Sequence, residues 1–172
     1  MSNLLLIMLV GPAGCGKSHL TSTCRVLTGG HVTVSSDKIR EMLYGDEAVQ
    51  KDHAKVFNLA HLDISKALAL GQNVVFDATN LVPKHRKDVL DIAKDSENTV
   101  KTIAVVYTGS LEKCLAQNQL RSRHVPDDVI ENQYNTLHRP GYFPTLEEGF
   151  DAVISMDLFE VLVLTSVFHG MQ

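Results

Sequence analysis

Apolar residues run without interruption from Leu4 to Val10 and stop at Gly11, which is the length and ending of a strand buried on both faces. A glycine-rich stretch follows, and Lys17 to about Leu27 then predicts a helix. His31–Val34 predicts a second short strand. Ser36 is placed to cap a brief helix over Asp37–Tyr44, with Asp37 in its first turn and Gly45 at its stop. From about Glu47 to Leu70, Val56, Ala60, Ile64, Ala67 and Leu68 recur every three or four residues, predicting one long amphipathic helix ended by Gly71.

The alternation continues. Asn73–Phe76 predicts a buried strand ending on Asp77, and Pro83 opens a helix through Val89, Leu90 and Ala93. Thr102–Tyr107 is the next strand, Ser110 caps Leu111–Leu120, and Pro126 opens Asp127–Leu137. Pro140, Gly141, Pro144 and Gly149 predict an irregular loop over residues 139–149, with strands Ala152–Met156 and Glu160–Leu164 after it. Short apolar strands separated by helices predict an α/β fold, a mostly parallel central sheet covered by helices. We expect one domain over residues 1–172, with a small helical lid at about residues 114–138 inside it.

Composition fits that picture. With 172 residues, 44% of them hydrophobic, and a formal charge of -4, the chain can bury a sizeable core and does not read as disordered. A pI near 6.0 excludes a basic surface overall, so any nucleic-acid contact must be local. The longest apolar runs fall well short of the roughly 20 residues of a membrane span. Met1–Asn3 lacks a basic leader region, and Cys15, Cys24 and Cys114 have neither disulfide-framework nor zinc spacing, so the expected location is the cytoplasm without membrane attachment. Eight histidines include no His-Glu-x-x-His pattern. Phe57 and Tyr134 read as packing residues.

The strongest chemical signal is Gly11-Pro-Ala-Gly-Cys-Gly-Lys-Ser18, the Gly-x-x-x-x-Gly-Lys-Ser/Thr pattern, set between a strand and a helix as that pattern requires. Its glycines allow consecutive backbone N–H groups to turn inward, and the helix start adds its positive end beneath the phosphates. Gly11, Pro12, Ala13, Gly14, Cys15, Gly16, Lys17, Ser18 and His19 are therefore the expected ATP-binding residues. Lys17 is expected to reach the β- and γ-phosphates, and Ser18 to place its hydroxyl on Mg2+.

The polar residues elsewhere bear on what receives the phosphate. Asp37 and Arg40 share one helix face near the end of the second strand, where ligands bind in such sheets. Asp37 could take a proton from an incoming hydroxyl and Arg40 could clamp a phosphate; equally, Asp37 could serve its helix N-terminus and Arg40 a surface ion pair. Asp77 ends a strand where an acid meets the metal, directly or through water, or orients a neighbour. Thr79 and Asn80 could bond the substrate, and Asn80 could instead shape its turn. Arg121 and Arg123 lie between two helices, where a hinged segment could lower cations over the phosphates or simply be solvated. Lys84, His85, Arg86 and Lys87 form the densest basic run, either an acceptor-backbone contact through Arg86 or a solvated helix start.

In order, Gly11–Ser18, Ser35-Ser-Asp-Lys-Ile-Arg40, Val75-Phe-Asp-Ala-Thr-Asn80, Arg121-Ser-Arg-His-Val-Pro126 with Val129-Ile130, and Glu148-Gly-Phe-Asp151 give the chain its resemblance. It resembles the P-loop kinase family related to the 5′-hydroxyl polynucleotide kinase domain of bacteriophage and bacterial RNA-repair enzymes, from Leu4 to about Asp151. The resemblance implies a P-loop NTPase fold, ATP and Mg2+ as cofactors, and transfer of the γ-phosphate to the 5′-hydroxyl of DNA or RNA. Asp37 would be the general base, Arg40 the residue engaging the acceptor's neighbouring phosphate, and Asp77 the acid supporting Arg40. Arg123, with Arg121 second, would be the lid arginine. The same core is shared with kinases of small metabolites, so a small-molecule acceptor stands as the alternative, and a nucleotide switch or weak ATPase as another.

Overall fold

The computed structural model describes residues 3–121 and 123–157. In chain order the strands are β1 (Leu4–Val10), β2 (Val32–Ser35), β3 (Val74–Asp77), β4 (Val100–Tyr107) and β5 (Ala152–Met156). The helices are α1 (Lys17–Thr28), α2 (Ser36–Tyr44), α3 (His53–Ala69), α4 (Pro83–Lys94), α5 (Leu111–Gln119) and α6 (Asp127–Leu137), with a 3-10 turn at Leu146–Glu148. The five strands form one parallel sheet in the order β2-β3-β1-β4-β5. The predicted strand at Glu160–Leu164 lies outside the described residues.

Strand β1 is central because both its faces are apolar. Leu6, Met8 and Val10 lie in one core cluster with Val74, Phe76, Ala104 and Val106, whereas Ile7 and Leu9 join Val75, Val105 and Tyr107 in the other. Helices α2, α3 and α4 cover the first face through Ile39, Val56, Ile64 and Val89; α1 and α5 cover the second through Leu20, Cys24 and Cys114. Helix α6 supplies Ile130 to one cluster and Leu137 to the other, so it lies across an end of the sheet rather than on one face. Among the described residues, no helix is long and apolar enough to cross a membrane.

Several boundaries shift from the sequence reading, most by a residue or two, and two of the differences have a local reason. The long helix starts at His53 rather than about Glu47, after Asp52 in a left-handed conformation (φ 47°). Its apolar periodicity begins only at Val56, so nothing upstream has a face to bury. Strand β2 passes directly into α2, so Ser35, still extended, stands at the cap position and Ser36 is already helical. Ser110 caps α5 as predicted, its Oγ accepting the Lys113 N–H at 3.4 Å.

The topology sets the site. Strand β1 lies between β3 and β4, and its register aligns Leu9 with Asp77, which in turn aligns with Ser35. The loops after β1, β2 and β3 therefore emerge side by side at the carboxyl edge, where open α/β sheets bind ligands.

Candidate active site

Between β1 and α1 the chain makes a tight loop whose glycines are fixed by their neighbours. Gly14 has φ +77°, and a Cβ there would lie 2.9 Å from the Cys114 carbonyl oxygen, so the loop fits against α5 only without a side chain. Lys17 is nine-tenths buried and folds its ammonium over the loop, donating to the Pro12 carbonyl and lying 3.6 Å from Cys15 Sγ. Burial opposes the Cys15 thiolate, but a hydrogen bond from Cys114 and the Lys17 charge outweigh it and bring the thiol down to about 7. An oxyanion entering the loop would meet the Lys17 side chain.

Beside the loop, Ser18 Oγ donates to Asp77 Oδ2 at 2.9 Å. A hydroxyl and a carboxylate oxygen at the foot of a phosphate loop form the kind of hard-oxygen donor set that Mg2+ accepts. The residues fit that ion. One resemblance-based expectation is corrected here: Asp77 does not support Arg40, because its carboxylate is turned to Ser18 while Arg40 takes its partner from its own helix.

That partner is Asp37. One turn of α2 brings Arg40 Nη1 within 3.0 Å of Asp37 Oδ1. The arginine side chain is 7% exposed against 43% for the aspartate, and Arg40 Nε is buried without a hydrogen-bond partner among the described residues. A buried guanidinium N–H left unmatched is a donor awaiting an acceptor. From the opposite side, Arg123 Nη1 lies 3.6 Å from Asp37 Oδ2 and 3.2 Å from Glu47 Oε1. Four charges thus alternate in sign, Arg40, Asp37, Arg123 and Glu47, joining helix α2 and the loop after it to the segment between α5 and α6.

All of this faces one open cavity of about 1040 Å³. Of the residues singled out in the sequence, Ala13, Gly14, Gly16, Lys17, Ser18, His19, Asp37, Arg40, Asp77, Thr79, Asn80, Arg121 and Arg123 line it. Cys15 is instead packed in the core behind the loop. Asn80 adopts φ +50° and donates its amide to the Leu9 carbonyl at 2.8 Å, so its NH2 group fastens the turn to β1.

Arg86 is a correction. Its side chain is fully buried, pairing with both Glu148 carboxylate oxygens through Nε (2.8 Å) and Nη2 (2.6 Å) and donating to the Asn80, Leu81 and Tyr142 carbonyls. Such an arginine has no donor left for an acceptor; it ties the start of α4 to the loop before β5. The basic run also divides, since exposed Lys87 pairs with Asp91 along α4.

Three residues in or around the site escaped the sequence reading. Glu47 stands in the α2–α3 loop against Arg123. Gln133 of α6 accepts the Ala13 N–H at 2.7 Å, joining that helix to the phosphate loop. Asn118 pairs with Val125 through both halves of its amide, at 2.7 and 3.0 Å, and so shapes the segment that carries Arg121 and Arg123. None of the three belongs to a local motif; Gln133 is 120 residues from its partner.

A parallel sheet with a glycine loop at its central strand, a buried lysine and a serine–aspartate pair beside it defines a P-loop nucleotide-binding protein. Comparison with known families narrows this: the AAA domain model AAA_33 matches residues 6–140, and the chain belongs to that P-loop kinase-domain family. Among curated proteins it is similar to the L-seryl-tRNA(Sec) kinase of Methanococcus maripaludis, 27% identical over 143 residues, which cover 80% of this chain and 54% of that one. The chain thus spans about half the length of that curated relative. Among solved structures, a chain of the Pnkp1/Rnl/Hen1 RNA repair complex superposes with a TM-score of 0.70 at 19% identity, covering 88% of this chain and 47% of that one. A gluconokinase from Sinorhizobium meliloti 1021 superposes with a TM-score of 0.57 at 20% identity, covering 90% and 82%. These structural likenesses concern the fold.

Proposed function

We propose that the chain is an ATP-dependent phosphotransferase that moves the γ-phosphate of ATP to a hydroxyl, with the 5′-hydroxyl of DNA or RNA as its acceptor. The observation carrying this reading is that the Asp37–Arg40 pair opens into the same cavity as Lys17 and Ser18. A carboxylate alone would also serve an ATPase by orienting water, but simple hydrolysis gives no role to the half-satisfied buried guanidinium of Arg40 beside it.

In this reading the loop amides and Lys17 hold the triphosphate. Asp37 accepts the hydroxyl proton as the acceptor oxygen bonds to the γ-phosphorus and the bond to the β-phosphate oxygen breaks, leaving ADP. Ser18 and Asp77 would hold Mg2+, which would supply neutralisation of phosphate charge when bound. Arg40, with Nε unmatched, engages the phosphate beside the acceptor nucleoside. The α5–α6 hairpin acts as a lid, with Arg123 reaching the transferring group and Arg121 in support. Most of the catalysis is positioning and electrostatics. The similarity to a kinase whose named substrate is a seryl-tRNA supports an RNA-associated hydroxyl.

The deciding experiment offers the purified protein γ-labelled ATP with 5′-hydroxyl DNA, 5′-hydroxyl RNA and a metabolite mixture in competition, and identifies the labelled product. Label on an oligonucleotide 5′ end is expected. Label on a metabolite alone would replace the acceptor assignment, and label on no hydroxyl compound would leave only nucleotide binding or hydrolysis.

A further inference from the structure

Part of the cavity's lining is a wall that the transfer chemistry does not use. It is built by Gln50, His53 and Phe57 from the start of α3 and the loop before it, and by Leu81, Val82 and His85 from the start of α4. Phe57 packs against the first core cluster yet keeps part of its ring uncovered, and its centroid lies 6.2 Å from that of His85 with the planes 30° apart. The sequence marks Phe57 as a packing residue; the structure gives it a second surface. His85 is held in place by its neighbour, since the Arg86 guanidinium is locked to Glu148 and to three carbonyls.

From this wall we infer an acceptor subsite for a nucleobase, formed by Phe57 and His85 and edged by Gln50 and His53. This rests on the phosphotransferase reading above and names what the acceptor carries next to its hydroxyl. A polyol acceptor presents several hydroxyls, each of which costs free energy when desolvated without a partner. The wall offers few such partners, the side chains of Gln50, His53 and His85, while the carboxylates lining the cavity, Asp37 and Asp77, are both at the transfer centre. A nucleobase has the opposite requirement, apolar faces to cover and a few edge groups to bond, which the Phe57 and His85 rings, Leu81, Val82 and the edge groups of Gln50 and His53 satisfy. The arrangement is also economical in space. With Arg40 directed at a phosphate and Asp37 at a hydroxyl, the third part of a terminal nucleotide is left to the Phe57 and His85 wall, which lines the same cavity.

The test compares two 5′-hydroxyl oligonucleotides of equal length and phosphate count, one complete and one lacking the base of its terminal nucleoside, at saturating ATP. Stacking on an aromatic side chain predicts that the complete acceptor is used about tenfold more efficiently, through a lower KM. Phe57→Leu keeps apolar volume beneath the ring and removes the ring, and His85→Gln removes the second; each is expected to bring the preference below about threefold by raising the KM of the complete acceptor. A variant that does not fold is recognised by its lost far-ultraviolet helix signal and replaced by Phe57→Met. Equal efficiency on the two acceptors in the parent protein, or a preference untouched in both variants, overturns the subsite while leaving the kinase reading intact. Transfer to neither oligonucleotide overturns the acceptor reading and the subsite together.

Discussion

Arg123, between α5 and α6, lies 3.2 Å from Glu47, in the loop between α2 and α3, and the same guanidinium nitrogen lies 3.6 Å from Asp37. Held there, the arginine is engaged by carboxylates that must release it before it can serve a phosphate. Glu47→Gln weakens the unliganded arrangement only, so the apparent KM for ATP is expected to fall about two- to fivefold, the size of a partly exposed ion pair. Arg123→Ala removes the cation itself and is expected to lower kcat by about 100-fold. Steady-state kinetics over a range of ATP concentrations separates the two; a kcat unchanged by Arg123→Ala would sink the lid role.

In the proposed reaction, transfer as opposed to nucleotide binding depends on Asp37. Asp37→Asn preserves shape and loses the proton acceptor, so kcat is expected to fall by at least about 100-fold while ATP affinity changes by less than about threefold. Rapid-quench measurement of the chemical step together with equilibrium nucleotide binding checks both halves. An acceptor turnover matching the parent's would show that Asp37 merely pairs with Arg40.

Arg86 makes a prediction about stability. Its removal leaves Glu148, whose side chain is 19% exposed, without its bidentate partner and frees three carbonyls. Arg86→Ala is expected to cost about 3–5 kcal/mol, and to lower the melting midpoint on the order of 10 °C for a domain of this size. Thermal denaturation followed by circular dichroism reads this directly. A midpoint within a degree or two of the parent's would mean that the α4 anchor is dispensable.

Cys15 links the loop to pH. Its thiol ionises at about 7 in the fold against an ordinary value of 9.0, because the Cys114 hydrogen bond and Lys17 overcome burial. The native state therefore binds fewer protons than the unfolded chain between those values, and stability contributed by the thiolate is complete above pH 9 and lost as pH falls through 7. Urea midpoints are expected to rise from pH 7 to 9 in the parent and to stay flatter in Cys15→Ala. Parallel pH profiles in the two proteins would contradict this.

How much of this was legible beforehand follows the range of each interaction. Gly11–Ser18 is local: strand, turn and helix start are adjacent in sequence, and the motif carries its own geometry. Asp37 and Arg40 are three residues apart on one helix and meet because any α-helix brings such positions together. Arg86 shows the reverse. The sequence places it in a basic run open to an acceptor, whereas the fold buries it, because Glu148 approaches from 62 residues away. Phe57 fits the apolar periodicity of α3 and reads as core; its partly open face depends on where α4 ends its approach.

By itself, then, the chain specified a parallel α/β sheet, a phosphate loop and the chemistry of its acidic and basic residues, since strand periodicity, glycine spacing and helix faces are properties of short segments. Only the tertiary structure decided which charges meet. The pairing of Arg123 with Glu47 and Asp37, of Gln133 with the loop amide of Ala13, and of Ser18 with Asp77 requires helices and strand ends distant in sequence to converge on one carboxyl edge. That convergence is set by strand order and by the burial of both faces of β1, which no local pattern encodes.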